Sequence, residues 1–155
     1  MAGWVAHIAR VPTEHGDWWM AWGDDGLVAS SRSRPEAELR ARAAGATGVR
    51  AGAACDVPAT PDWSRLPGGF RGRALRACHL IRRGQVLTYA ELAARAGSPA
   101  AARAAGSAMA SNPLPLVIPC HRVVGQGGRV GQYSAGGPEA KRRMLRAAGA
   151  LPPDA

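Results

Sequence analysis

Residues 112–123 read NPLPLVIPCHRV. The apolar run 114–118 predicts a buried strand, and Pro119 ends it. A cysteine, a histidine and an arginine follow at once. A thiol is a poor nucleophile until it ionises, and a basic neighbourhood lowers its pKa. His121, Arg122 and the basic chain around them supply such a neighbourhood. His121 can act as base, directly or through water. Asn112 stands before the run, where its amide can hydrogen-bond the turn that holds the thiol. A zinc half-site is the competing reading. Ligands on adjacent residues do not match the usual zinc spacings, and Cys55, Cys78, His7, His15 and His79 offer none either. The stretch therefore predicts a nucleophilic Cys120, with no metal.

The 155 residues allow one or two small domains. Three cysteines fit no disulfide framework. There is no basic segment followed by a long apolar one, and no apolar run near the roughly 20 residues of a membrane span. A cytoplasmic protein with free thiols and no membrane partner is the expectation. Alanine, glycine and arginine dominate, and Lys141 is the single lysine; this is the bias of a GC-rich coding sequence. Residues 1–62 carry six basic and eight acidic groups, a net −2. Residues 63–155 carry fourteen basic and three acidic groups, a net +11. Such asymmetry fits a polyanion partner on one side of the molecule, or simply arginine-rich solubility.

Residues 16–31, GDWWMAWGDDGLVASS, predict two strands joined by a turn at Asp24-Asp25-Gly26. Trp18, Met20 and Trp22 alternate with Trp19 and Ala21, and the tryptophans read as core. Residues 33–45 predict a helix with a serine cap, an early proline, early acids and later arginines. Residues 46–68 read as a strand remnant and a linker. These features predict a small α/β support domain over 1–62 and a second domain over 63–151. In the second domain, Phe70, Leu75, Cys78 and Ile81 share a helical face. TYAELAARAG, residues 88–97, predicts a short helix with Leu92, Ala93 and Ala96 inward. Ser98 and Pro99 open a further predicted helix running to Ser111. Two short helices about a glycine-containing turn predict a helix-turn-helix. The second is built of small residues around one long cation, Arg103. A bare helix lets its backbone approach a narrow groove while one side chain enters the base stack. A tightly packed core helix is the alternative.

From about residue 70 to 149 the chain resembles the O6-alkylguanine-DNA alkyltransferases. The elements GQVLTYAELA, AARAAGSAMASNP, PLVIPCHRVV and GGPEAKRRML occur in that family's order and spacing. The first hairpin is similar too, more weakly. The resemblance implies an RNase-H-like α/β domain followed by a helical domain with a winged helix-turn-helix and a cysteine loop. It implies DNA repair by a monomer, through stoichiometric transfer of an alkyl group from a flipped guanine in duplex DNA. Cys120 would be the acceptor, His121 its base and Asn112 the residue orienting the turn. Tyr89 would assist nucleotide rotation and hydrogen-bond the leaving guanine. Met109, Val123, Tyr133 and Ser134 would line the guanine pocket. Arg103 would fill the gap in the stack, and Ala101, Ala102, Gly106 and Thr88 would meet the DNA.

Two positions depart from the family pattern. Ala148 stands where a glutamate usually completes a network through the histidine. The segment YSAGG, residues 133–137, carries one residue more than the usual spacing. These departures keep two alternatives open: a lesion sensor, or a relative redirected to bulky adducts or a small-molecule alkyl donor.

Overall fold

The computed structural model describes residues 3–151. It is a mixed α/β protein that divides into two compact units. The first takes in Met1–Pro67 and Pro113–Val117, the second Gly68–Asn112 and Ile118–Ala155.

The first unit is a four-stranded sheet carrying one helix. Its strands are β1 (Trp4–Thr13), β2 (Gly16–Gly23), β3 (Gly26–Ser31) and β4 (Ala46–Ala51), in the order β3-β2-β1-β4. Neighbours are antiparallel except β1 and β4, which run parallel. Helix α1 (Arg34–Ala43) makes the crossover between β3 and β4. The predicted hairpin forms, with Gly23 opposite Gly26 across Asp24-Asp25. Gly26 sits at φ 141°, and a Cβ there would come within 2.6 Å of the Thr60 carbonyl oxygen, so only glycine fits. Trp18, Met20 and Trp22 are buried, as core residues should be. Ser33 caps α1 by accepting a hydrogen bond from the Glu36 N–H at 3.4 Å. Ala37 and Ala41 pack against Ala6, Ile8, Ala21, Val28 and Ala29 of the sheet. Small helix residues let α1 lie close to the strands.

The predicted strand at 114–118 does not form. Pro113 and Pro115 remove two backbone donors, so no continuous ladder can be built there. The segment is instead an irregular bend, with Leu116 at φ 76°. Its carbonyls serve as acceptors: Pro113 O takes the Ser30 N–H at 3.0 Å, and Pro115 O takes the Ser30 hydroxyl at 2.6 Å.

The second unit holds α2 (Gly69–His79), α3 (Tyr89–Arg95), α4 (Ala102–Ala110) and α5 (Gly137–Ala147). Two short strands, β5 (Leu87–Thr88) and β6 (Val123–Val124), pair in parallel. Leu75 and Cys78 of α2, and Leu92 and Ala93 of α3, are fully buried, and Ile81 and Ala96 join them. Helix α4 starts later than the sequence suggests. Ser98 accepts a hydrogen bond from the Ala101 N–H at 2.9 Å, so Ser98 and Pro99 form a separate turn and Ala101 becomes the N-cap.

Thr88 begins α3 with a capping box. Its hydroxyl accepts from the Glu91 N–H at 3.1 Å, and the Glu91 carboxylate accepts from the Thr88 N–H at 3.1 Å. These hydrogen bonds hold the Glu91 carboxyl below its usual range. Thr88→Ala should lower stability by about 1 kcal/mol, and Thr88→Ser should retain most of it. Urea denaturation of the three proteins measures this.

Candidate active site

The cysteine turn is built from one carbonyl. Pro119 lies at φ −79° and ψ 65°, the geometry of an inverse γ-turn, which its ring presets. The turn closes when the Cys120 N–H donates to Ile118 O at 2.7 Å. The same oxygen accepts from Asn112 Nδ2 at 2.8 Å. Asn112 follows α4 and is only 1% exposed, so this hydrogen bond is shielded from water. Cys120, His121 and Arg122 then form a single 3₁₀ turn, with the Arg122 N–H donating to Pro119 O at 2.8 Å. Arg122 Nη1 donates to Ile81 O at 2.7 Å, tying the turn to the end of α2. Beyond it, Val123 pairs with Leu87 and Val124 with Thr88. That pairing brings Tyr89, the first residue of α3, to the same site.

A cavity of about 250 Å³ opens over the thiol. Tyr89, Gly106, Met109, Ala110, Cys120, Gln132, Tyr133, Ser134 and Lys141 line it. Tyr89, Met109, Cys120, Tyr133 and Ser134 were all expected at the site, and they converge here. Gly106, expected at the DNA, also faces the cavity. Val123 is fully buried in β6 and is not among the lining residues. His121 is 3% exposed and meets Tyr133 edge-on, with ring centroids 6.2 Å apart.

Helix α4 turns Ala105, Ala108 and Met109 inward and exposes Arg103, Ala104, Ser107 and Ala110. Ala101, Ala102 and Gly106 are half-buried. The exposed face therefore carries small side chains and one long cation. Residues 133–137 form a loop in which the Gly137 N–H donates to Tyr133 O at 2.8 Å. Gly136 and Gly137 both have positive φ, at 135° and 76°, and side chains rarely adopt that conformation. Ala148 is the C-cap of α5.

Sequence reasoning missed Gln132, Ala110 and Lys141. Lys141 is 1% exposed, and its Nζ donates to Gln132 O at 3.5 Å. The available signal was its status as the single lysine among 20 Lys and Arg residues. Burial pulls the Lys141 amine down from its ordinary value, and the nearby Cys120 and Cys78 push it back up. Burial raises Cys78 well above the usual thiol range, with Cys120 adding to the effect. Burial also raises the Tyr89 phenol, again with Cys120 contributing. Cys78 and Tyr89 thus stay protonated at neutral pH.

Residues 69–150 match the family described as 6-O-methylguanine DNA methyltransferase, DNA binding domain. A methylated-DNA–protein-cysteine methyltransferase of Methanothermobacter thermautotrophicus is 36% identical over 144 residues, covering 84% of this chain and 78% of the relative. The rat protein of that name is 50% identical over 66 residues, which are 43% of this chain and only 32% of the relative. The match to the mammalian proteins thus spans about a third of their length. The crystal structure of Mycobacterium tuberculosis O6-methylguanine methyltransferase superposes with a TM-score of 0.70 at 26% identity, covering 97% of this chain and 96% of that one. With its thiol turn, its cavity and this match along most of its length, the chain belongs to the methylated-DNA–protein-cysteine methyltransferase family.

Proposed function

We propose that the protein repairs O6-alkylguanine in duplex DNA by one direct transfer of the alkyl group to Cys120. The observation that carries this is the placement of Cys120, 4% exposed, in a cavity walled by Tyr89, Met109, Tyr133 and Ser134. The reaction balances without a cofactor. His121 takes the thiol proton. The thiolate sulfur forms a bond to the alkyl carbon while that carbon's bond to guanine O6 breaks. The electron pair leaves with the guanine, which Tyr89 hydrogen-bonds and which regains a proton. The product thioether is not readily hydrolysed, so each molecule acts once. Retention of Cys120 at the cavity speaks against a lesion sensor.

A target inside a duplex must first be flipped out, at a cost of a few kcal/mol that a poorly paired base reduces. Helices α3 and α4 serve as the helix-turn-helix, and β5 and β6 belong to its wing. The small residues of α4, with Ala101, Ala102, Gly106 and Thr88, approach the minor groove, and Arg103 enters the stack. The net +11 of residues 63–155 attracts the phosphates. In this reading residues 63–151 do the chemistry, and residues 1–62 form an RNase-H-like support. The free thiols Cys55, Cys78 and Cys120 fit a reducing cytoplasm. A single transfer needs no second copy, so the protein works as a monomer.

Incubation with duplex DNA carrying O6-methylguanine should add about 14 Da to the intact protein, once, on Cys120. Cys55 and Cys78 should stay unmodified. Mass spectrometry reads this directly; repeated turnover, or no mass gain, would contradict the proposal.

Arg103→Ala should slow transfer on duplex substrate by about tenfold or more, and weaken salt-sensitive non-specific binding far less. Single-turnover rates beside binding at several salt concentrations separate the two effects. An unchanged transfer rate would remove Arg103 from the stack.

A further inference from the structure

Positions 73, 76 and 77 of α2 and its C-cap Leu80 recur at i, i+3, i+4 and i+7, the spacing of one helical face. The opposite face buries Ala74, Leu75 and Cys78 in the core. The outer face should be polar, but Leu80 lies on it and is 73% exposed, more than any other large apolar side chain among the described residues. Arg95, the last residue of α3, joins Arg73, Arg76, Ala77 and Leu80 to line a groove of about 310 Å³. This groove shares no lining residue with the cavity over Cys120.

The groove is held by its own contacts. Arg73 Nε donates to Ala96 O at 2.9 Å, which ties α2 to the end of α3. The Arg73 guanidinium also lies 5.7 Å from the centroid of the Phe70 ring. Ala77, half-buried among exposed neighbours, is the floor, and its small side chain leaves the groove open. Arginine stems are methylene chains, so the groove is apolar below and positive at its rim. Residues 68–112 contain seven arginines and a single acid, Glu91. The Glu91 carboxylate is held in the capping box with Thr88. Glu139, the other acid described in this unit, pairs with Arg142 at 2.8 Å. The rim therefore complements an anionic ligand.

Two kinds of anion suit arginine. Duplex DNA offers phosphates, but its backbone presents nothing apolar to Ala77 and Leu80 in a concave groove. An acidic peptide offers carboxylates and an apolar side chain together, and a guanidinium can meet a carboxylate through two parallel N–H donors. We propose that this groove docks an acidic segment of a partner protein, with one large apolar side chain seated on Ala77 and Leu80 and flanking carboxylates on Arg76 and Arg95. Docking there is independent of the chemistry at Cys120.

The test is fluorescence anisotropy of the full-length protein with a labelled oligo-aspartate peptide carrying one central phenylalanine. A control peptide has serine in place of the phenylalanine. At physiological salt the phenylalanine peptide should bind saturably and about tenfold or more tighter than the control, the increment expected for burying one large apolar side chain. Leu80→Ser should remove most of that difference. Arg95→Glu should weaken both peptides by about tenfold or more. Both side chains are exposed, so neither change disturbs the core, and transfer from methylguanine in saturating duplex DNA should match wild type in both variants. Absence of saturable binding, equal binding of the two peptides, or wild-type binding by Leu80→Ser would overturn the proposal. So would a loss of duplex DNA affinity in Leu80→Ser, which removes no charge and would make the groove a nucleic-acid contact. Self-association in sedimentation that Leu80→Ser abolishes would also overturn it, by making the groove an interface between copies of the chain.

Discussion

The site depends on the oxygen of Ile118, which accepts from the Cys120 N–H at 2.7 Å and from Asn112 Nδ2 at 2.8 Å. The first hydrogen bond bends the chain at Pro119, and Cys120 beyond the bend lines the cavity. The second fixes that bend to the end of α4. Both lie out of water, where a hydrogen bond is electrostatically stronger and a broken one leaves a costly unpaired group. The proline between them limits the alternatives, because its ring holds φ near the value the turn requires. The thiol is thus placed by backbone geometry, and the helix it is tied to is the one whose exposed face carries Arg103. In the proposed function, chemistry and nucleic-acid contact would share one rigid element.

Around the thiol, burial sets which groups ionise. Cys78 and Tyr89 are raised and remain neutral, while Lys141 supplies positive charge to the same cavity. The net charge of +11 over residues 63–155 acts at longer range and is screened by salt. The two effects are separable. One acts inside the cavity, and the other acts over the surface.

Features governed by local chemistry were legible in the sequence. Asp24-Asp25-Gly26 makes its turn, Ser33 caps α1, and TYAELAARAG gives a helix whose inward residues are Leu92, Ala93 and Ala96. The thiol, the asparagine and the cavity residues Tyr89, Met109, Tyr133 and Ser134 also lay in recognisable motifs. What failed depended on partners distant in sequence. β1 went unread, and one of its edges is set by the distant β4. The run 114–118 looked like a strand by hydropathy, but its prolines denied it a ladder, and its carbonyls found Ser30 instead. Lys141 was passed over because lysine is ordinarily a surface residue, and sequence alone did not show α5 turning it inward. The two positive-φ glycines after Ala135, Gly136 and Gly137, show their role only in the loop's closed geometry.

If the Ile118 carbonyl is the anchor of the site, removing its side-chain donor should disable transfer without unfolding the protein. The direct measurement is the single-turnover transfer rate from methylguanine in duplex DNA for wild type and Asn112→Ala, at a temperature where denaturant titration shows both folded. The account predicts a loss of about a hundredfold or more, since a displaced nucleophile loses its alignment with the alkyl carbon. Transfer by folded Asn112→Ala at the wild-type rate would contradict it.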